Sequence, residues 1–132
     1  MNNGLFGFPL GKFDSDNYFK LSHSVPASML LLDGGISFGY LINGSGTLTV
    51  IGNKQVNILI CGGGGGGGTG AGGGGGGGGG GCIYIPSFLL GSKTSPTTQY
   101  LIAIGNTSTA GVVGNDTNFA GILAKGGGYG GK

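Results

Sequence analysis

The sequence contains no Glu, no Arg and no Trp, and only 8% of its 132 residues are charged. Because the exposed faces of helices are normally built from Glu, Lys, Arg, Gln and Ala, these absences argue against a helical protein. The residue types that dominate instead favour strands and turns; they are Gly, Ile, Leu, Val, Phe, Tyr, Thr, Ser and Asn. We therefore predict an all-β protein with essentially no helix.

Charge and hydrophobic runs also limit the partners of the chain. The net charge is +2, and the six lysines are scattered, so no basic cluster marks a nucleic-acid or lipid surface. No apolar run approaches the ~20 residues that a membrane-spanning helix needs. The N-terminus lacks the basic region and apolar core of a signal peptide. We expect a protein acting outside a cell to leave by lysis or by a non-classical route.

Glycine takes the place of the missing residues, with 37 occurrences. No Gly-X-Y period runs through the chain, which argues against collagen. A hydrophobic content of 38% with few charges is unlike a disordered chain. Residues 62–81 are all glycine except Thr69 and Ala71. Since glycine loses the most backbone freedom on folding, an ordered tract of this length requires collective packing.

Packed rods of the polyproline II type satisfy this requirement. Such helices have three residues per turn and no internal hydrogen bonds, so neighbouring rods must pair their backbone groups. We predict a first pass at Gly62–Gly68, a turn at Thr69, Gly70 and Ala71, and a return at Gly72–Gly81. Gly126–Gly131 is the candidate third rod. The alternative is a flexible surface loop.

Apolar runs separated by turn residues predict the strands. Asp-Gly and Asn-Gly pairs supply the positive φ of tight hairpins. The separators are 33–35, 43–46 and Gly52-Asn53-Lys54, and the sheet should be an antiparallel meander or sandwich beside the rods. The predicted strands are Ser28–Leu32, Ile36–Ile42, Thr47–Ile51, Gln55–Ile60, Cys82–Ile85, Phe88–Leu90, Thr98–Ile104, Val112–Val113 and Phe119–Ala124.

The first 27 residues differ in character from the rest. Their aromatic side chains are interrupted by glycines and prolines, which suits a strap lying in a neighbouring subunit's groove as well as a local core. We divide the chain into an N-terminal assembly segment, 1–27, and a glycine-rich β domain, 28–132. The candidate assembly contacts are Phe6, Phe8, Phe13, Tyr18 and Phe19.

Cys61 and Cys82 bracket the glycine tract, so the two thiols meet if the tract folds back on itself. A disulfide there would close a loop of about 20 residues and stabilise the fold by ~3 kcal/mol in the chain-entropy model. The alternative is a pair of small buried hydrophobic side chains.

No catalytic, cofactor or metal site is expected. The acids are Asp14, Asp16, Asp33 and Asp116, and the last two lie in turn sequences where Asp commonly caps its own backbone. The single histidine, His23, has no evident partner. Glycine-rich RNA-binding segments interleave Arg with aromatics, and Arg is absent here. We predict a non-enzymatic protein without cofactors.

From about Gly46 to Gly131 the chain resembles the glycine-rich domain of phage tail-fibre and adhesin proteins and of related surface proteins. The resemblance is carried by the apolar run 56–61, the tract 62–81, the run 99–105, the stretch 114–119 and the run 122–125 before Gly126. It implies a structural or receptor-contacting role on a virion. The first 45 residues do not share it, and the chain is much shorter than a tail fibre.

Three functions follow as hypotheses. The first is a virion structural protein, of the tail-fibre, tip or minor capsid type, that assembles with itself and with other virion proteins through apolar, low-charge surfaces. The second is an adhesin, in which Gly91–Thr98 and Asn106–Asn118 contact host-surface glycans or proteins. The third is a secreted filament subunit. The expected location is the virion, or otherwise the extracellular space.

Overall fold

The computed structural model describes residues 19–23, 27–32 and 37–132, with side chains from residue 39 onward. This part of the chain contains strands and no helix, so the all-β prediction is confirmed. The strands are β1 Phe19–His23, β2 Ala27–Leu32, β3 Ser37–Ile42, β4 Gly46–Cys61, β5 Cys82–Gly91, β6 Thr97–Ala103, β7 Thr117–Phe119 and β8 Ile122–Ala124.

All of the strand pairs among the described residues are antiparallel, and β4 pairs with three strands, β1, β5 and β6. The main sheet has the order β1-β4-β6-β7-β8 and is curled, while β5 pairs with β4 off this path. β2 and β3 form a separate two-stranded sheet. The first half of β4 therefore has β1 and β6 as partners, and its second half continues with β5 towards the glycine tract.

The predicted turn at Gly52-Asn53-Lys54 is wrong, because β4 runs through it without interruption. Gly52 has a φ of 80° and lies where β4 changes partner: Ile51 pairs with Thr97, and Asn53 pairs with Gly91. Glycine adopts this φ without steric cost, so the strand is redirected rather than ended. Gly91, with a φ of 91°, packs so closely on the Gly52 carbonyl that a Cβ there would overlap it.

Two further strand predictions fail in the second half of the chain. Val112–Val113 is not a strand, and its backbone instead bonds to the glycine tract. The predicted single strand Phe119–Ala124 is a hairpin of β7 and β8. Ala120 and Gly121 form its turn with φ values of 53° and 80°, and two consecutive positive values are typical of a type I′ turn. The residue types do not predict this turn, because Ala rarely adopts positive φ.

The predicted strands Cys82–Ile85 and Phe88–Leu90 join into one strand, β5, with an irregularity in its pairing to β4. Ser87 has a φ of 55° at this point, and its N–H donates to the Asn57 side-chain oxygen at 3.1 Å. The Asn57 side chain thus replaces a ladder hydrogen bond, so both strands continue past the bulge.

A small apolar core lies on one side of the curled sheet. Alternate residues of β4 point into it, and Val50 is completely buried. The Tyr100 and Phe119 rings stack with their centroids 5.2 Å apart, and the Tyr100 hydroxyl accepts a hydrogen bond from the Gly91 N–H. The buried apolar residues are Leu48, Val50, Ile60, Leu90, Ile102, Phe119 and Ala124.

The N-terminal candidate contacts Phe6, Phe8, Phe13 and Tyr18 lie outside the described residues, as does the side chain of Phe19. The backbone of Phe19–His23 belongs to β1 and pairs with Leu48–Gly52 of β4. The division of the chain at residue 27 stays a prediction.

Candidate functional site: a hydrogen-bonded glycine array

The array begins at a disulfide. Cys61 ends β4, Cys82 begins β5, and the two residues are directly opposite in the register with their Cα atoms 4.2 Å apart. Their sulfurs form a disulfide, and both residues are exposed at the surface. The next pair continues the ladder, because the Gly62 N–H donates to the Gly81 carbonyl at 2.9 Å. The strand pair β4–β5 thus leads directly into a pair of glycine segments.

The first pass, 62–68, and the return, 75–81, run antiparallel with a hydrogen bond at every third residue. The Gly62, Gly65 and Gly68 N–H groups donate to the carbonyls of Gly81, Gly78 and Gly75, at 2.9, 2.9 and 2.7 Å. The chain reverses between Gly70 and Gly73, where the Gly73 N–H donates to the Gly70 carbonyl at 3.2 Å. Of the predicted turn residues, Gly70 and Ala71 lie at this reversal, and Thr69 precedes it.

The first pass also bonds to three segments from the second half of the chain. Its N–H groups donate to the segment at 112–115, and its carbonyls accept from those at 108–111 and 127–130. The three-residue interval recurs in each of them. The Gly63 and Gly66 N–H groups donate to the carbonyls of Asn115 and Val112. The Ser108 and Gly111 N–H groups donate to the carbonyls of Gly64 and Gly67, and those of Gly127 and Gly130 donate to the carbonyls of Gly63 and Gly66. All six distances lie between 2.7 and 3.0 Å.

The C-terminal glycines join the return as well as the first pass. N–H groups of Gly75, Gly78 and Gly81 donate to the carbonyls of Gly131, Gly128 and Lys125, at 3.0, 2.7 and 2.8 Å. We call the hydrogen-bonded segments 62–68, 72–81, 106–115 and 125–131 the glycine array. The first pass hydrogen-bonds to all three other segments, and so does 125–131, because the Gly114 N–H donates to the Gly127 carbonyl at 2.7 Å. We call the first pass the centre of the array and the return, which bonds to two segments, its edge.

Close packing explains why the centre of the array is glycine. A Cβ on Gly63 would lie well inside 3 Å of the Asn106 carbonyl oxygen, and one on Gly66 would do the same at Thr109. Gly62, Gly65 and Gly68 meet the carbonyls of the C-terminal segment in the same way. Gly64 differs, because its nearest neighbour would be 3.8 Å away. The blocking atoms are backbone, so they cannot move aside as a flexible side chain would.

Asp116 joins the array to the sheet. Its carboxylate accepts the Lys125 ammonium at 2.8 Å and the Gly126 N–H at 2.7 Å. The hydrogen bond from Lys125, and then that from Gly126, lower the pKa of Asp116 below its ordinary value of 3.8. Sequence reasoning placed this Asp in a turn that caps its own backbone, which is wrong. The missed signal was the Ala120-Gly121 turn, since Asp116 and Lys125 directly flank the hairpin that this turn forms.

Buried Thr117 supports the same junction by accepting the Gly105 N–H at 2.8 Å. Residues 106–115 belong to the stretch Asn106–Asn118 that the adhesin hypothesis assigns to receptor contact, and their backbone hydrogen-bonds to the first pass. Their side chains at Asn106, Thr107 and Thr109 remain exposed. In the other candidate loop the Ser92 hydroxyl accepts the N–H groups of Thr94 and Ser95, so this loop is ordered by its own bonds.

Large apolar side chains are exposed on the sheet. Leu59 and Tyr84 lie opposite each other on β4 and β5, next to the disulfide, and are 66% and 61% exposed. Leu101 of β6 is 75% exposed. From residue 39 onward the only charged side chains are four lysines and Asp116. These surfaces are therefore apolar and carry little charge that would oppose association.

Among the residues with described positions, no group of three His, Cys, Asp or Glu side chains could hold a metal ion. The same part of the chain has no helix of the length and apolarity needed to cross a membrane. His23 lies on β1, and its side chain is outside the description.

Comparisons of the chain with protein-family models, curated proteins and solved structures find no match. The likeness to the glycine-rich domain of phage tail-fibre and adhesin proteins therefore stays a prediction, carried by the residues of this chain.

Proposed function

We propose that the glycine array is a bundle of polyproline II-like rods that serves as a rigid scaffold. Two observations support this conformation. The hydrogen bonds between segments recur at every third residue, which is the repeat of that helix. Among residues 62–81 only Gly73 has a positive φ, although an achiral glycine adopts either sign about equally. A single sign of φ along a glycine chain gives a single handedness.

Amide exchange tests this scaffold against a flexible loop. The N–H groups of Gly62, Gly63, Gly65, Gly66 and Gly68 are hydrogen-bonded, whereas those of Gly64 and Gly67 have no backbone acceptor among the described residues. We expect protection at two of every three amides along the first pass. Uniformly fast exchange across 62–81 would contradict the scaffold.

We infer that the chain is a non-enzymatic structural subunit of a virion, of the tail-fibre, tip or minor capsid type. The observation that carries this proposal is the glycine array itself, whose centre is built from backbone packed on backbone. The first pass, 62–68, consists of glycine alone and so carries no side chain that could perform chemistry. The exposed apolar side chains Leu59, Tyr84 and Leu101, with so few charges nearby, favour assembly with itself and with other virion proteins.

Sedimentation velocity of the purified chain over a range of concentrations tests the assembly part of the proposal. We expect species larger than a monomer, with larger species at higher concentration. A soluble monomer at high concentration would contradict an assembling subunit. Immunogold electron microscopy of the parent particle then tests the virion location. Polymers in culture supernatant without phage or viral DNA would instead favour a secreted filament.

A receptor-binding adhesin is the second candidate, favoured by the loop between β5 and β6. Gly52, Asn53 and residues 92–96 line a concave surface that combines hydroxyl groups with the Lys93 ammonium, a chemistry suited to glycans. Binding of the purified chain to host cells, compared between wild type and Lys93→Ala, tests it. Loss of binding in the variant supports an adhesin, and equal binding by both excludes this loop as the contact.

A further inference from the structure

The two glycine passes differ in how completely their backbone groups are paired. In the first pass, five N–H groups and the carbonyls of Gly63, Gly64, Gly66 and Gly67 take part in hydrogen bonds to other segments. In the return, Gly76 and Gly79 have neither N–H nor carbonyl bonded to any described residue, and Gly72–Gly79 are all exposed. The return is thus an open edge of a hydrogen-bonded array, comparable to the unpaired edge of a sheet.

The return presents three faces because its contacts repeat every third residue. Gly74, Gly77 and Gly80 face the first pass, where a Cβ would overlap a backbone carbonyl. Gly75 and Gly78 face the C-terminal segment, with a Cβ 3.3 Å from Gly131 or Gly128. A Cβ on Gly76 or Gly79, and likewise on Gly73, would meet nothing within 4 Å. We call Gly76 and Gly79 the open glycine face.

The fold of a single chain does not require glycine at Gly76 and Gly79. Their φ angles are not positive, and space for a side chain is available. Elsewhere the array does place side chains outward, as at Thr109, Val112 and Tyr129, which are all exposed. The open glycine face therefore combines unpaired backbone groups with an absence of side chains, and both favour the close approach of another backbone.

We propose that the open glycine face binds the same face of a second copy of this chain. Within the array, a glycine edge is covered by another glycine segment running antiparallel, as 75–81 covers 62–68. A partner rod must lack side chains along its contacting face, and the return itself has such a face on its exposed side. No charged residue lies in 62–81, so the two contacting segments themselves carry no like charges. An antiparallel pair of returns is also self-complementary, as a two-fold interface requires.

This inference rests on the proposed assembly function and specifies its surface. Its test compares wild type with Gly76→Ala/Gly79→Ala, using Gly64→Ala as the control. The added methyl groups of the double variant fit the single chain and lie where a second backbone would pack. The control methyl group also fits, but lies on the first pass. Circular dichroism and thermal unfolding establish that both variants fold.

Sedimentation velocity and amide exchange provide the readouts. We expect wild type and Gly64→Ala to associate alike, and the dissociation constant of the double variant to rise at least tenfold. We also expect protection of the Gly76 and Gly79 amides to appear with increasing concentration in wild type. Association of the double variant equal to that of wild type would overturn this surface and leave the assembly function standing. A wild-type monomer at every concentration would overturn the assembly function and this inference together.

Discussion

The sheet and the glycine array are both ordered, but side chains hold the sheet together and backbone holds the array together. The sheet packs side chains such as Leu48 and Val50 into a core from which water is excluded. The array packs backbone against backbone, and hydrogen bonds at every third residue hold its segments together. A side-chain core can adjust to a change of volume when its side chains change rotamer, whereas a packed glycine backbone has no rotamers to change. The array should therefore be the less tolerant region, even though its sequence is the simplest.

The largest effect should come from adding two methyl groups to the centre of the array. Gly63→Ala/Gly66→Ala places each Cβ against a backbone carbonyl, and we expect the free energy of unfolding to fall by about 4 kcal/mol, from overpacking costs of roughly 1–3 kcal/mol at each site. Urea unfolding measures this change. Gly64→Ala, which has room, should change the free energy by less than about 0.5 kcal/mol. Equal stability of both variants would show that the array is not closely packed.

The matching change in the sheet is Leu48→Ala. It leaves a cavity in the core and should lower the free energy of unfolding by about 3 kcal/mol. Leu101→Ala is the control, because that side chain is 75% exposed, and it should cost less than about 0.5 kcal/mol. Urea unfolding of both variants checks the difference. If Leu101→Ala is the more costly, Leu101 is buried against another chain, which would support assembly through this side of the sheet.

The disulfide lies where the sheet meets the glycine array, so its removal tests how far the two regions stabilise each other. Cys61→Ser/Cys82→Ser releases the ends of the glycine loop, and we expect a loss of about 2–3 kcal/mol from the greater entropy of the unfolded chain. Unfolding in the presence of a thiol reductant should destabilise wild type by a similar amount and leave the variant unchanged. A reductant effect on the variant would disprove this explanation.

The smallest effect should be the acid dependence at the junction of the two regions. Because the folded protein lowers the pKa of Asp116, the unfolded chain binds the proton more readily. The stabilisation by Asp116 is therefore present above its ordinary pKa of 3.8 and is lost as the pH falls through the lower, folded value. Asp116→Asn should show a weaker loss of stability between pH 4 and pH 2 than wild type. Identical pH profiles would exclude a contribution from this carboxylate.

Sequence reasoning succeeded where a local pattern has one structural solution. The missing Glu and Arg, with alternating runs such as Thr47–Val50, predicted strands without helix, and β4 contains that run. Sequence reasoning failed where a positive φ at a single residue sets the direction of the chain. Gly52 continues a strand rather than ending it, and Ala120 forms a turn that its residue type disfavours. Backbone angles at single positions depend on the partners that both neighbouring segments find, and these partners are distant in sequence.

The glycine array likewise has features that the sequence predicts and features that it does not. The composition of residues 62–81 is enough to show that ordered packing there must involve backbone, because almost no side chains are present. The segments that pack together could not be predicted from the sequence, since residues 106–115 carry ordinary side chains and yet bond to Gly63 and Gly66. The fold also determines which glycines are required and which, such as Gly76, face outward. The physical reason is that identical glycines differ only in their neighbours, and neighbours are fixed by the fold and not by the residue type.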